Sequence, residues 1–179
     1  MTSSLLAWSV CALLVFWAVG AYNRLMRLRS EVSAAFVELQ GQLQQQAQLA
    51  SSLLPTGPPD AASVEPAFLA QIQGASSQLA ACLDAGRPKP LDHERVAAIA
   101  SASAVLARAW ERAEREDVHD LAGSQLPDTL TETRARLIRQ TDAAVAQFDE
   151  AVTRYNEGIA QFPALLLAWV FGFKSGRRF

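Results

Sequence analysis

The sequence predicts an all-α protein in which an N-terminal transmembrane helix continues into an antiparallel, up-and-down four-helix bundle, closed by a short apolar C-terminal segment at the membrane face. Three observations predict this fold. Residues 5–22 carry no charged side chain, apolar residues elsewhere recur at helical spacing, and Pro and Gly cluster in breaks at 55–66, 84–91 and 117–127. The chain therefore divides into an anchor (1–22), a bundle (23–162) and a C-terminal segment (163–179).

The N-terminal element is the stretch LLAWSVCALLVFWAVGAY, which places Trp8, Trp17 and Tyr22 toward its two ends. Aromatic residues at both ends of a long apolar stretch are typical of a membrane-spanning helix. A cleaved secretory signal is the alternative, because Val19-Gly20-Ala21 resembles a cleavage site. Residues 1–4 contain no Lys or Arg, however, and a signal peptide normally carries them there.

Basic residues lie just beyond the predicted span, at Arg24, Arg27 and Arg29. Because Lys and Arg near a span mark its cytoplasmic side, this pattern predicts a short N-terminus outside and the whole bundle in the cytoplasm.

Four segments carry the apolar periodicity of amphipathic helices. The first, 22–54, continues the membrane helix, and the second covers about 67–83. The third begins at Asp92, a favourable N-cap residue, and the fourth runs from Pro127, a favourable first-turn residue, through Phe162. Short connections between such helices favour an up-and-down bundle. Three aromatic residues of the fourth segment recur every seven positions and are predicted core residues: Phe148, Tyr155 and Phe162.

The C-terminal segment begins with the apolar run PALLLAWVFGF, which at about 11 residues is too short to cross a bilayer. Since the fourth helix runs opposite to the first, its end is expected to return to the membrane beside Tyr22. An interfacial or partly inserted segment is therefore predicted, held by apolar and basic side chains: Leu166, Trp169, Phe173, Lys174, Arg177 and Arg178. The alternative is that the run folds back and caps the core of the bundle.

Two stretches at the ends of the predicted bundle resemble a known family. AYNRLMRLRSEVSAAFVELQGQLQQQAQL (21–49) and RYNEGIAQFPALLLAWVFGFKSGRRF (154–179) are similar to the opening and closing runs of the LemA family of bacterial membrane-anchored helical proteins. The resemblance implies an antiparallel four-helix bundle on an N-terminal membrane helix, with no established enzymatic activity. The chain resembles a divergent member, because Phe148 and Asp149 stand where a further Tyr-Asn pair is usual and three glutamines replace a basic stretch: Gln44, Gln45 and Gln46.

Residues suited to chemistry are few. The net charge of −2 argues against nucleic-acid binding. His93 is expected to be a solvated helix-end residue, and the acidic surroundings of His119 are expected to be a solvated loop rather than a metal site. Asn23 and Asn156 each follow a tyrosine near the membrane end of an outer helix. They are predicted to fix helix register in a seam or to join Tyr155 and Phe162 in a partner-binding patch.

These features predict a non-enzymatic, membrane-anchored helical scaffold or adaptor that presents a bundle surface to protein partners, including copies of itself. The alternative is a membrane-shaping or lipid-interacting protein that acts through the C-terminal apolar segment. Membrane lipids and proteins are the expected partners, with no nucleic acid, no small-molecule substrate and no cofactor. The expected location is the bacterial inner membrane, crossed once.

Overall fold

The protein is all-α, as predicted. The computed structural model describes residues 2–52, 67–84, 90–119, 128–161, 165 and 172–179. The residues described form four α-helices and no strand: α1 (Thr2–Ser51), α2 (Ala67–Asp84), α3 (His93–His119) and α4 (Asp128–Ala160). The predicted continuation of the N-terminal helix into the bundle is confirmed, because α1 is a single helix.

The two outer helices, α1 and α4, pack against each other and run in opposite directions. Moving along α1 toward its C-terminus, the partners on α4 come from progressively earlier positions. Glu31 pairs with Arg154 at 3.8 Å, and the Phe36 and Phe148 rings lie 5.5 Å apart. Further along, Gln46 Nε2 donates a hydrogen bond to Thr141 Oγ1 at 2.7 Å.

The inner helices α2 and α3 pack on each other, and α2 also packs on α1. The start of α3 is capped by Asp92, whose carbonyl accepts a hydrogen bond from Val96 N at 3.0 Å and whose side chain lies 3.4 Å from Arg95 N. Arg95 Nη2 also approaches Leu83 O at 3.4 Å. This contact joins the start of α3 to the end of α2, as expected for an antiparallel pair.

One apolar core runs through the bundle and draws on all four helices. Phe148 and Tyr155, two of the three aromatic residues predicted to be core, are completely buried. Phe162, the third, lies outside the residues described. The core stripe of α1 stays on one face of the helix, because its buried residues recur at spacings of three and four, close to the helical repeat of about 3.6. The buried members are Leu25, Leu28, Val32, Phe36, Leu39, Leu43, Ala47 and Ala50.

The N-terminal part of α1 extends away from this core and exposes large apolar side chains. Trp8 is 75% exposed and Phe16 82%, whereas Leu25 is only 1% exposed. In the parts of the chain that the structure describes, no helix holds a stretch both long and apolar enough to cross a membrane. The span expected at 5–22 therefore stays a prediction.

One predicted loop is shorter than expected. α3 continues through His119, although 117–127 was predicted to be a break. The helix extends because Asp117, Val118 and His119 contain neither Pro nor Gly, and the Gly and Pro of that stretch come only at Gly123 and Pro127.

Candidate functional site: the docked C-terminal segment

Residues 172–179, called here the docked segment, fold back onto the bundle. Gly172 begins it with a φ of 68°, in the left-handed region that glycine adopts without strain. The chain can turn sharply there. Phe173 follows, and its ring makes an edge contact with Tyr22 of α1, with the ring centroids 6.4 Å apart. The docked segment therefore starts beside the residue at which the predicted span of α1 ends.

A pair of hydrogen bonds joins Asn156 of α4 to Gly176 of the docked segment. Asn156 Nδ2 donates to Gly176 O at 2.9 Å, and Gly176 N donates to Asn156 Oδ1 at 2.8 Å. A side-chain amide thus satisfies both polar groups of one residue's backbone, as a neighbouring strand would. Gly176 is buried, and a Cβ added there would lie 2.9 Å from Leu91 Cδ2. This position accepts no larger residue without a shift of its neighbours.

Three further side chains from α3 and α4 hold the same segment. Tyr155 OH donates to Lys174 O at 3.2 Å, and Phe179 N donates to Asp149 Oδ1 at 2.7 Å. His93 Nε2 lies 2.7 Å from Ser175 O, which is a hydrogen bond when that nitrogen carries the ring proton. All of these bonds are made to backbone atoms of the segment. The bundle therefore holds the segment through its backbone, while the side chains of Lys174, Arg177 and Arg178 remain exposed.

Tyr155 stays neutral in this site. Burial raises the pKa of its hydroxyl above the ordinary value, and the positive charge of Arg29 opposes the rise. A neutral phenol retains the proton that it donates to the carbonyl of Lys174. Arg29 lines the same cleft as Tyr155 and Lys174.

The structure brings some of the predicted site residues together at the dock and leaves others apart. Asn156 and Tyr155 bind the docked segment. Asn23 is exposed, because the face of α1 that carries Leu25 and Leu28 turns toward the core and directs Asn23 away from it. A register role in a helical seam is therefore wrong for Asn23, and for Asn156 the partner is the docked segment rather than another helix.

The predicted basic residues after the span are exposed on α1. Arg27 lies 3.8 Å from Glu31, four residues later on the same helix, and Arg24 and Arg29 are exposed beside it. Leu166, Trp169 and Phe162 lie outside the residues described. The alternative prediction, that the C-terminal run folds back as a cap, falls largely on 166–171, outside the residues described. Residues 172–179 pack against the bundle, and Phe179 contacts its core.

Sequence reasoning missed His93, Asp149 and Gly176 as functional residues. His93 was predicted to be a solvated helix end, and although it is exposed, it contacts the docked segment. A signal for Asp149 was present: Phe148-Asp149 and Tyr155-Asn156 repeat the same aromatic-polar pair two helical turns apart. In each pair the aromatic residue enters the core and the polar residue next to it binds the docked segment.

The side chains of this site bind the docked segment through hydrogen bonds to its backbone. Within the ranges described, no group of His, Cys, Asp and Glu side chains could hold a metal ion. The only His of the site is engaged with a backbone carbonyl, and the carboxylate of Asp149 accepts a hydrogen bond from a backbone amide.

A comparison with protein families gives one result. The family model of the LemA family matches residues 35–179 and so includes α2, α3, α4, the docked segment and most of the bundle part of α1. Neither the comparison with curated proteins nor the comparison with solved structures found a match.

Proposed function

The chain belongs to the LemA family, and we propose that it is a membrane-anchored helical scaffold whose bundle presents a surface to protein partners, copies of itself among them. The observation that carries this proposal is the division of α1 into two parts. The large apolar side chains described before Tyr22 are exposed, whereas from Leu25 onward one face of the same uninterrupted helix is buried in the core.

The exposed part of α1 favours an anchor for a physical reason. Exposed apolar surface of this extent is unfavourable in water and marks contact with a membrane or another protein. Residues 5–22 would extend roughly 27 Å as a helix, close to the thickness of the hydrocarbon core. The bundle attached to it has its own apolar core, so it can fold outside the bilayer.

The orientation that we propose places the bundle in the cytoplasm. Arg24, Arg27 and Arg29 follow the exposed stretch directly, and their side chains lie on the surface of α1. The cytoplasmic side of a span is usually the one that carries such residues.

A reporter fused after Phe179 tests both the anchor and the orientation. The fusion should sediment with the membrane fraction and resist extraction by high salt, and a fluorescent reporter should be active while alkaline phosphatase should not. A fusion that stays in the soluble fraction would refute the anchor. Active alkaline phosphatase on a membrane-bound fusion would refute only the orientation.

A photo-crosslinking residue on the bundle surface tests the scaffold role in cells. Val37 is 57% exposed and Val105 41%, so crosslinks to partner proteins or to a second copy are expected from one of them. Leu39, which is completely buried, is the matched control. If the two exposed positions gave no more adducts than Leu39, the bundle would present no occupied surface and the scaffold proposal would fail.

A second candidate function is direct action of the C-terminal apolar run on the bilayer. The contact between Phe173 and Tyr22 favours it, because this contact fixes the end of the run beside the end of the exposed stretch of α1. Replacing Leu166, Trp169 and Phe173 with Ser in the full chain should then reduce the leakage or remodelling of vesicles that the unaltered chain causes. Unchanged vesicle behaviour would exclude this function.

A further inference from the structure

A large cleft lies where α1, the start of α3 and the docked segment meet. Its volume is about 1160 Å³, slightly above the usual range of small-molecule sites. α1 forms one wall, residues 90–94 form the second, and residues 172–175 form the third. Tyr155 lines the cleft as well, and its hydroxyl holds the third wall in place through Lys174 O.

The cleft has an apolar part and a cationic part. Tyr22, Met26 and Phe173 supply apolar surface next to the exposed stretch of α1. Arg29 and Lys174 supply two positive charges, both exposed. Among the residues described, neither cation has a carboxylate within ion-pair distance, whereas Arg27 and Arg154 both pair with Glu31.

Two acidic residues also line the cleft, and their surroundings reduce their effect. The side chain of Asp92 lies at the N-terminus of α3, where the backbone N–H groups carry a partial positive charge. Glu94 lies in the first turn of the same helix, where the same partial positive charge offsets part of its negative charge. Arg29 and Lys174 lie on the other two walls of the cleft, and their positive charges are available to a ligand.

The position of the cleft identifies the chemistry of the ligand. Tyr22 is both the last residue of the predicted span and a wall of the cleft. If α1 is anchored as proposed above, the cleft opens at the level of the lipid headgroups, where aromatic and basic residues commonly meet phosphate. A guanidinium and an ammonium group together suit a phosphate, and the apolar wall suits the start of an acyl chain.

We propose that this cleft binds an anionic phospholipid, with its phosphate between Arg29 and Lys174 and its acyl chains against Tyr22, Met26 and Phe173. This inference rests on the membrane anchor proposed above. It concerns a single bound lipid, which differs from the general attraction of a basic surface to an acidic bilayer. The lipid would join α1, the start of α3 and the docked segment, three elements that the sequence places far apart.

The test uses the full chain in detergent micelles with graded amounts of phosphatidylglycerol or phosphatidylcholine, and native mass spectrometry counts the bound lipids. The unaltered chain should retain one phosphatidylglycerol at least tenfold more tightly than phosphatidylcholine. Arg29→Gln and Lys174→Gln should each weaken that binding about tenfold, the loss expected for a charge-assisted hydrogen bond. Arg24→Gln and Arg177→Gln are matched controls, since both residues are exposed cations outside the cleft lining, and each should weaken binding less than about fivefold.

A third kind of variant separates loss of charge from loss of shape. Ser33→Trp adds bulk to the cleft wall without changing any charge, and it should also reduce retention of phosphatidylglycerol. Circular dichroism of each variant should match that of the unaltered chain.

Each remaining result overturns the proposal. Equal losses in cleft and control variants would mean general electrostatic attraction, and equal retention of the two lipids by the unaltered chain would mean no selective site. Flotation of the full chain with phosphatidylcholine vesicles tests the anchor separately. A chain that floats but shows no selectivity would retain the anchor and lose the lipid site, and a chain that does not float would lose both.

Discussion

Replacing Phe148 with Ala should destabilise the bundle more than any exposed substitution. Phe148 is completely buried on α4, and its ring lies 5.5 Å from the ring of Phe36 on α1, which is 1% exposed. The substitution therefore empties a ring-sized volume at the interface between the two outer helices. It also removes a tilted aromatic pair that joins them.

The magnitude follows from the burial. Deleting a fully buried Phe side chain costs about 3 to 5 kcal/mol, of which the aromatic pair accounts for roughly 0.5 to 1.5 kcal/mol. For a chain of this size, a loss of 1 kcal/mol lowers the melting temperature by about 2 to 4 °C. A decrease of roughly 6 to 20 °C is therefore expected.

Thermal unfolding of the full chain in a mild detergent, followed by circular dichroism, measures the effect. Val37→Ala is the control, because Val37 directly follows Phe36 but is 57% exposed, and its loss should cost no more than about 0.5 kcal/mol. A loss below about 1 kcal/mol for Phe148→Ala, or a similar loss for both variants, would refute the packing of α4 on α1 at this point.

Three further predictions concern the docked segment and its supports. Asn156→Ala should lower the free energy of unfolding by about 1 to 3 kcal/mol, because it removes two hydrogen bonds to Gly176. Hydrogen exchange at the amide of Gly176 should become faster, and an unchanged exchange rate would contradict this pairing. Gly176→Ala should lower the free energy of unfolding by about 1 to 3 kcal/mol, because a Cβ would lie 2.9 Å from Leu91 Cδ2 and 3.1 Å from the stiff side chain of Val152. An unchanged melting temperature would refute this tight fit. Burial raises the pKa of the Tyr155 hydroxyl in the folded protein. The stability that the buried neutral phenol contributes is therefore complete below its unfolded pKa of about 10 and is lost as the pH rises toward its folded pKa. Tyr155→Phe should make the fall of the melting temperature at alkaline pH less steep, and an equally steep fall would contradict this.

Much of the fold follows from local sequence patterns. The apolar stripe of α4 placed Phe148 and Tyr155 in the core correctly, because a helical face depends on a spacing that is visible along one segment. The capping residue Asp92 was also visible, since a cap acts on its own helix.

The docked segment could not be predicted in the same way. Its hydrogen bonds join residues far apart in the chain, such as His93 and Ser175, which are 82 positions apart, and they end on backbone groups that every residue possesses. No residue type at 174–179 predicts such a contact, apart from Gly176, which lies where a larger residue would not fit. The apolar character of the preceding run and the basic residues after it favoured a membrane surface instead, and the exposed side chains of Lys174 and Arg177 are compatible with both positions.

Because α1 packs against α4, folding of the bundle depends on the order in which the helices are synthesised. Residues Gln46 and Thr141, which meet in the folded protein, are separated by 95 positions. Chains are made from the N-terminus, so the apolar stripe of α1 leaves the ribosome long before its partner exists, and contacts across such separations form slowly. A nascent chain interrupted before α4 would expose that stripe to chaperones and proteases. Productive folding of this protein should therefore be sensitive to pauses in translation between α1 and α4.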